Sequence, residues 1–210
     1  LITDMSGLFW NNTTFNEDIS QWNVSNVTNM QDMFRNATSF NQDINGWDVS
    51  NVTNMNAMFF LASSFNQPLN DWNVSNVTDM RCMFQGCEIF NQPLNDWNIS
   101  NVKDISNLFS LCLQFDQSLN DWNVSNVSDM SSMFFHCRNY NQPLNKWDVS
   151  NVESMANMFE SAFKFDQNLN DWVVLSTCNT YYMFANVNLN FSYYEKAKWY
   201  DYSNDSDHLE

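Results

Sequence analysis

Basic residues are scarce in this chain: 8 Lys and Arg stand against 24 Asp and Glu in 210 residues, a formal net charge of −16. Such a surface repels phosphate backbones and anionic lipid, so no nucleic acid is expected as a partner. Long apolar runs are missing too. No uninterrupted run reaches the roughly 18 apolar residues that a bilayer-spanning helix requires, so no direct membrane insertion of this segment is expected. The two histidines, His136 and His208, accompany no recurring nucleophile or ligand spacing, and no Cys-x-x-Cys pair occurs. Acid–base sites need orienting partners and zinc sites need spaced ligands. The sequence therefore reads as a non-enzyme with no cofactor and no metal.

What is present is a repeat. Trp22, Trp47, Trp72, Trp97, Trp122, Trp147 and Trp172 recur every 25 residues without insertion or deletion. Between them the same text returns: Trp-x-Val/Ile-Ser-Asn-Val, then Met/Leu-Phe, a small residue, and Phe/Tyr-Asn/Asp-Gln-x-Leu/Ile-Asn. In Met30 to Ala37 the apolar residues fall at i, i+3, i+4 and i+7, which predicts a two-turn helix with Thr28 as N-cap. Asp79, Asp104 and Asp129 would sit in its first turn, where the helix dipole favours them. Trp47-Asp48-Val49 alternates as a short strand does. Pro68, Pro93 and Pro143 recur at one position and exclude a paired interior strand over Phe65 to Leu69, which reads as an extended loop.

One such unit cannot bury its own apolar side chains, whereas stacked units can. The expected fold is an α/β solenoid: a leucine-rich-repeat-like, right-handed, curved stack of 25-residue strand-turn-helix coils around a single continuous core. Residues 1–184 form the repeats, about seven to eight coils with the first partial, and residues 185–208 form an aromatic-rich cap. Phe191, Tyr193, Tyr194, Trp199, Tyr200 and Tyr202 would cover the open end. Leu209-Glu210 reads as a cloning scar. Because Met5, Phe9, Phe15, Ile19 and Trp22 match Met30, Phe34, Phe40, Ile44 and Trp47, the chain enters its repeat part-way and reads as a trimmed piece. A signal peptide or anchor would lie outside it.

Asn26, Asn51, Asn76, Asn101, Asn126 and Asn151 hold one register and are expected as a buried ladder that satisfies turn backbone from coil to coil. Several lie in Asn-x-Ser/Thr sequons, such as Asn26-Val27-Thr28, where a packed position would leave no room for a sugar. Cys87, Cys112 and Cys137 share a register with Ala37, Ala62 and Ala162 and read as small, buried free thiols. Cys82 and Cys178 lie off it.

The frame Leu69-x-x-Trp72-x-Val74-x-Asn76-Val77-x-x-Met80, continued through Met83-Phe84 to Phe90-Asn91-Gln92-Pro93-Leu94, resembles the BspA-like leucine-rich-repeat family, and in particular the repeat of mycoplasma-type surface lipoproteins. The likeness covers about residues 2–184. It implies a cell-surface or secreted protein of adhesin or host-interaction type, binding a host-matrix or cell-surface protein. Two surfaces are candidates for that contact. Asp71, Asp96, Asp121 and Asp171 precede the tryptophan, and Asp48, Asn73, Asn98, Asn123 and Asp148 follow it. Together they would form an acidic stripe open to a cationic protein or a weakly held calcium ion, or else serve only as a solvated face. Lys146 interrupts it. Phe60, Leu61, Leu111, Phe135 and His136 would form an apolar patch, or fill a gap in the core. The competing function is a structural spacer or self-assembly module without a dedicated ligand.

Overall fold

The computed structural model describes residues 1–187 and 196–203. Its unit is a coil of 25 residues: Asp4, Asn29, Asn54, Asp79, Asp104, Asp129, Ser154 and Asn179 open coils 1 to 8 in turn, and these residues form isolated parallel bridges from coil to coil except between Asp79 and Asp104.

The strand-turn-helix coil read from the sequence does not form, and the α/β class is wrong. Up to Val187 no residue is helical, and strand pairing is confined to isolated parallel bridges. The expected helix over Met30–Ala37 is instead a chain of overlapping turns, with Met33 N–H donating to Met30 O, Arg35 to Asp32 and Ala37 to Phe34. Two left-handed residues per coil rule the helix out, here Asp32 (φ 55°) and Asn36 (φ 57°), each third in its turn as a type II turn requires. Alternate N–H groups that a helix would use internally point along the stack. Met30, Asp32, Phe34 and Asn36 donate to the carbonyls of Asn54, Asn56, Met58 and Phe60 at 2.6–2.9 Å. Thr28 caps nothing; its N–H and hydroxyl both donate to Thr3 O. Asp79, Asp104 and Asp129 lie in the bridge column. The expected strand over Trp47–Val49 is absent as well: both apolar ends are buried, yet they lead into turns closed by Trp47 N–H to Ile44 O and Val52 N–H to Val49 O. With neither helix nor strand, the reason for expecting curvature disappears.

Left-handed backbone costs a non-glycine residue roughly 1–3 kcal/mol. Only Gly7 and Gly86 avoid that cost among the left-handed residues described. Inter-coil hydrogen bonds and burial offset it. Met30, Met33, Phe34, Ala37, Phe40 and Ile44 are fully buried, and their equivalents repeat this through coil 7. Phe34, Phe59, Phe84 and Phe109 form one column of rings with centroids 5.5–5.6 Å apart. Phe40, Phe65, Phe90 and Phe115 form a second at 5.8–6.1 Å. The tryptophans form a third, as in the Trp72–Trp97 stack at 6.4 Å. From Trp47 onward each indole N–H of this column reaches a carbonyl of the previous coil, as Trp47 does to Ile19, Trp72 to Ile44 and Trp97 to Leu69.

Tyr140 continues the second column where other coils carry phenylalanine, and its hydroxyl is buried without a hydrogen-bond partner. Burial pushes that phenol well above its ordinary pKa. Removing an unsatisfied hydroxyl removes its desolvation penalty, so Tyr140→Phe should raise stability by about 1 kcal/mol in urea unfolding.

One rung of the stack is open. Thr28, Thr53 and Thr78 each donate a hydroxyl and a backbone N–H to the carbonyl 25 residues earlier; Glu153, without a hydroxyl, still donates its N–H to Ser128 O at 2.8 Å, whereas Lys103 N–H makes no such bond to Thr78 O. Among the described residues the bridge series skips the step from Asp79 to Asp104, and Met80 N–H lacks the inter-coil bond that Met55 N–H makes. Arg81 spans the two carboxylates, at 2.6 Å from Asp79 and 3.9 Å from Asp104. Amide exchange at Met80 should outpace that at Met55 by on the order of tenfold or more, as read by NMR, because exchange follows local opening.

At the far end, Leu169 N–H donates to Lys196 O and Trp199 Nε1 donates to Leu169 O at 2.8 Å. Trp199 extends the tryptophan column over Trp172, and Tyr200 sits edge-on against Phe184. Phe191, Tyr193, Tyr194, Leu209 and Glu210 lie outside the described residues.

Candidate functional site

Turns that bury each tryptophan throw its sequence neighbours outward. Leu69 and Trp72 close a turn around Asn70 and Asp71, and Val74 and Val77 close the next around Ser75 and Asn76. Asp48, Asp71, Asn73, Asp96, Asn98, Asp121, Asn123, Asp148 and Asp171 are all exposed, in two columns flanking the tryptophans.

Their hydrogen bonding divides them. Asp48 and Asp148 accept from the Ser50 and Ser150 backbone N–H at 3.1 Å, and the serine hydroxyls, with those N–H groups, hold both carboxyls below the usual range. Asn73, Asn98 and Asn123 accept the same turn-closing N–H bond from Ser75, Ser100 and Ser125. Asp71 and Asp121 are tied to the preceding coil, where Asn45 and Asn95 donate to them at 2.7 and 2.6 Å. Lys146 pairs with Asp121 and, with Asn95, lowers its pKa. Asp96 and Asp171 have no partner among the described residues. Each lines a shallow recess. One, about 360 Å³, is formed by Asn70, Pro93, Leu94, Asn95, Asp96 and Trp97; the other, about 230 Å³, by Pro143, Asn145, Gln167, Asn168 and Asp171. No three His, Cys, Asp or Glu side chains converge as cation ligands among the described residues.

The apolar candidates lie on another edge. Phe60, Leu111, Phe135 and His136 are half-buried and Leu61 is exposed. They pack locally: the Arg35 guanidinium lies 4.4 Å over the Phe60 ring, and Phe135 meets His136 edge-on at 4.4 Å. Leu61 covers Gly86, where a Cβ would stand 2.5 Å from Leu61 Cδ2. Sequence reasoning missed Trp10, Ile89 and Phe163, which are exposed apolar residues in the same turn region. A helical reading gave no way to see which residues the turns push outward.

The asparagine ladder forms, but on the surface rather than in the core. Asn51, Asn76, Asn101, Asn126 and Asn151 donate through Nδ2 to Ser25, Ser50, Ser75, Ser100 and Ser125 O at 2.7–2.9 Å while remaining exposed. Cys87, Cys112 and Cys137 are buried free thiols whose Sγ–H groups donate to Phe59, Phe84 and Phe109 O. Burial raises all three thiol pKa values. Cys82 and Cys178 are half-buried and free, and desolvation brings Cys178 to about 11.

The profile described as "Mycoplasma protein of unknown function, DUF285" matches residues 1–97 and 78–197. The chain belongs to the DUF285 family. No curated protein and no solved structure matches the chain. No helix among the described residues is long and apolar enough to cross a membrane.

Proposed function

We propose that this DUF285 chain is a protein-binding repeat domain of a surface or secreted protein, of adhesin or host-interaction type, and that it takes a cationic protein along the acidic edge beside the tryptophans. One observation carries the reading: Asp96 and Asp171 face solvent in recesses with no partner among the described residues, on an edge where acidic residues outnumber the two bases beside the tryptophans, Lys146 and Lys198. A lysine or arginine of a partner would find there an uncommitted carboxylate. The likeness of the Trp72–Leu94 text to BspA-like repeats supports the same class of role.

The test is binding of basic matrix proteins to the immobilised chain at several salt concentrations. Asp96→Asn with Asp171→Asn should weaken binding about tenfold and flatten its salt dependence, since two interfacial charges are lost. Binding that ignores both substitutions would remove this edge from consideration. Self-association with no captured protein would instead favour a spacer or assembly module.

A further inference from the structure

The tripeptide Asn-x-Ser/Thr recurs in two registers of the coil, three residues apart, and it can accept an N-linked sugar only where its asparagine amide and its hydroxyl are open to solvent. In the ladder register both groups are spent on the preceding coil. Asn51, Asn76 and Asn126 donate through Nδ2 to Ser25, Ser50 and Ser100 O at 2.7–2.8 Å, and the hydroxyls of Thr53, Thr78 and Ser128 donate to Thr28, Thr53 and Lys103 O at 3.2–3.3 Å. The register beside the tryptophans differs. In Asn73-Val74-Ser75, Asn98-Ile99-Ser100 and Asn123-Val124-Ser125 the middle residue is buried, which leaves the asparagine exposed on one side of it and the serine half-exposed on the other. Each asparagine accepts the serine N–H through Oδ1 at 3.1–3.2 Å, so its side chain is held in a closed turn while Nδ2 has no partner among the described residues.

We infer that Asn73, Asn98 and Asn123 form a column of N-glycosylation acceptors on coils 3 to 5, and that the asparagine ladder beside them is closed to the same chemistry. The donor is a sugar activated as its pyrophosphate on a lipid carrier. In the transfer a bond forms between Nδ2 and the anomeric carbon. The bond from that carbon to the phosphate oxygen breaks, its electron pair leaves on the phosphate, and Nδ2 releases one proton to a base of the transferase. The hydrogen bond at Oδ1 draws electron density to the amide oxygen and so loosens that proton. The column stops at coils 2 and 6, where Asp48 and Asp148 keep the same turn but have no amide nitrogen to give. If a cationic protein takes Asp96, a glycan on Asn98 competes with it; the transfer itself does not rest on that reading.

The test uses the folded chain, a lipid-pyrophosphate glycan donor and an oligosaccharyltransferase chosen for activity on the isolated peptide Asn70–Arg81, which holds Asn73 and Asn76 together. Peptide mass spectrometry reads the rate of modification at each asparagine. In the folded chain Asn73 should be modified on the order of tenfold or more faster than Asn76, and Asn123 likewise over Asn126, because a ladder site must first break two inter-coil hydrogen bonds. In the peptide, where neither bond exists, the Asn73 and Asn76 rates should converge. Ser100→Ala should abolish modification of Asn98 and leave Asn73 and Asn123 modified. Equal rates at Asn73 and Asn76 in the folded chain overturn the inference. So does a folded chain left unmodified at Asn73, Asn98 and Asn123 by the enzyme that modifies the peptide. The same preference for Asn73 in the peptide also overturns it, since the choice would then lie in the local sequence rather than in the stack.

Discussion

Trp97→Ala should destabilise the stack by about 3–5 kcal/mol, the range for emptying a buried aromatic site. Trp97 is 3 % exposed, stacks on Trp72 and packs against Phe84 at 6.2 Å. Its loss also strips Leu69 O of the indole donor at 3.0 Å. Because coils touch only their neighbours, the damage is local and sits in the middle of a quasi-one-dimensional object. Urea unfolding of the variant should therefore lose its single sharp transition: coils 1–3 and coils 5–8 should melt at separate midpoints, resolved by the fluorescence of the remaining tryptophans. Trp97→Phe keeps an aromatic ring and loses the donor, so it should fall between the variant and the parent. A Trp97→Ala chain as stable as the parent would mean that the indole column contributes nothing.

A glycine inserted between Asn107 and Leu108 should cost more, about 5 kcal/mol or above, comparable with the whole stability of an ordinary domain. Ile105, Asn107, Phe109 and Leu111 donate to Asp129, Ser131, Met133 and Phe135 O at 2.7–3.0 Å. One added residue turns the last two donors away from coil 6 and moves Leu108, Phe109 and Cys112 out of the core. The same glycine inserted between Asn95 and Asp96, in the exposed turn closed by Trp97 N–H to Leu94 O, should cost only about 1–2 kcal/mol, since surface turns tolerate added length. Comparing the two unfolding midpoints checks the contrast. Equal losses would show that inter-coil register is not what holds the stack.

The sequence made the inward set of residues legible and left their conformation hidden. Met30, Met33, Phe34 and Ala37 are buried as their spacing suggests, and so are Trp47 and Val49 on either side of exposed Asp48. That spacing is satisfied equally by a helix and by overlapping turns with two left-handed residues. At Ala57, Leu61 and Cys82 nothing local announces a left-handed backbone. Hydrogen-bond partners lie 24 residues away, so a reading of neighbours at three and four residues misses them. At the acidic edge, exposure was legible from the alternation around each tryptophan. Partnership was not: Asp71 and Asp96 hold the same repeat position, yet Asn45 of the preceding coil reaches Asp71 while Asn70 makes its hydrogen bond to Asp71 within its own coil, leaving Asp96 without one.

With no helix or sheet in its coils up to Val187, this folded chain would look largely unfolded to the optical measurement most often used to judge folding. Far-ultraviolet dichroism reads ordered amide arrays, and here successive amides alternate in direction along overlapping turns. The ordered chromophores are the rings, piled at near-parallel angles such as 4° between Phe34 and Phe59 and 3° between Trp72 and Trp97. Denaturation of this chain is therefore to be followed through near-ultraviolet aromatic bands, which report fixed side-chain packing.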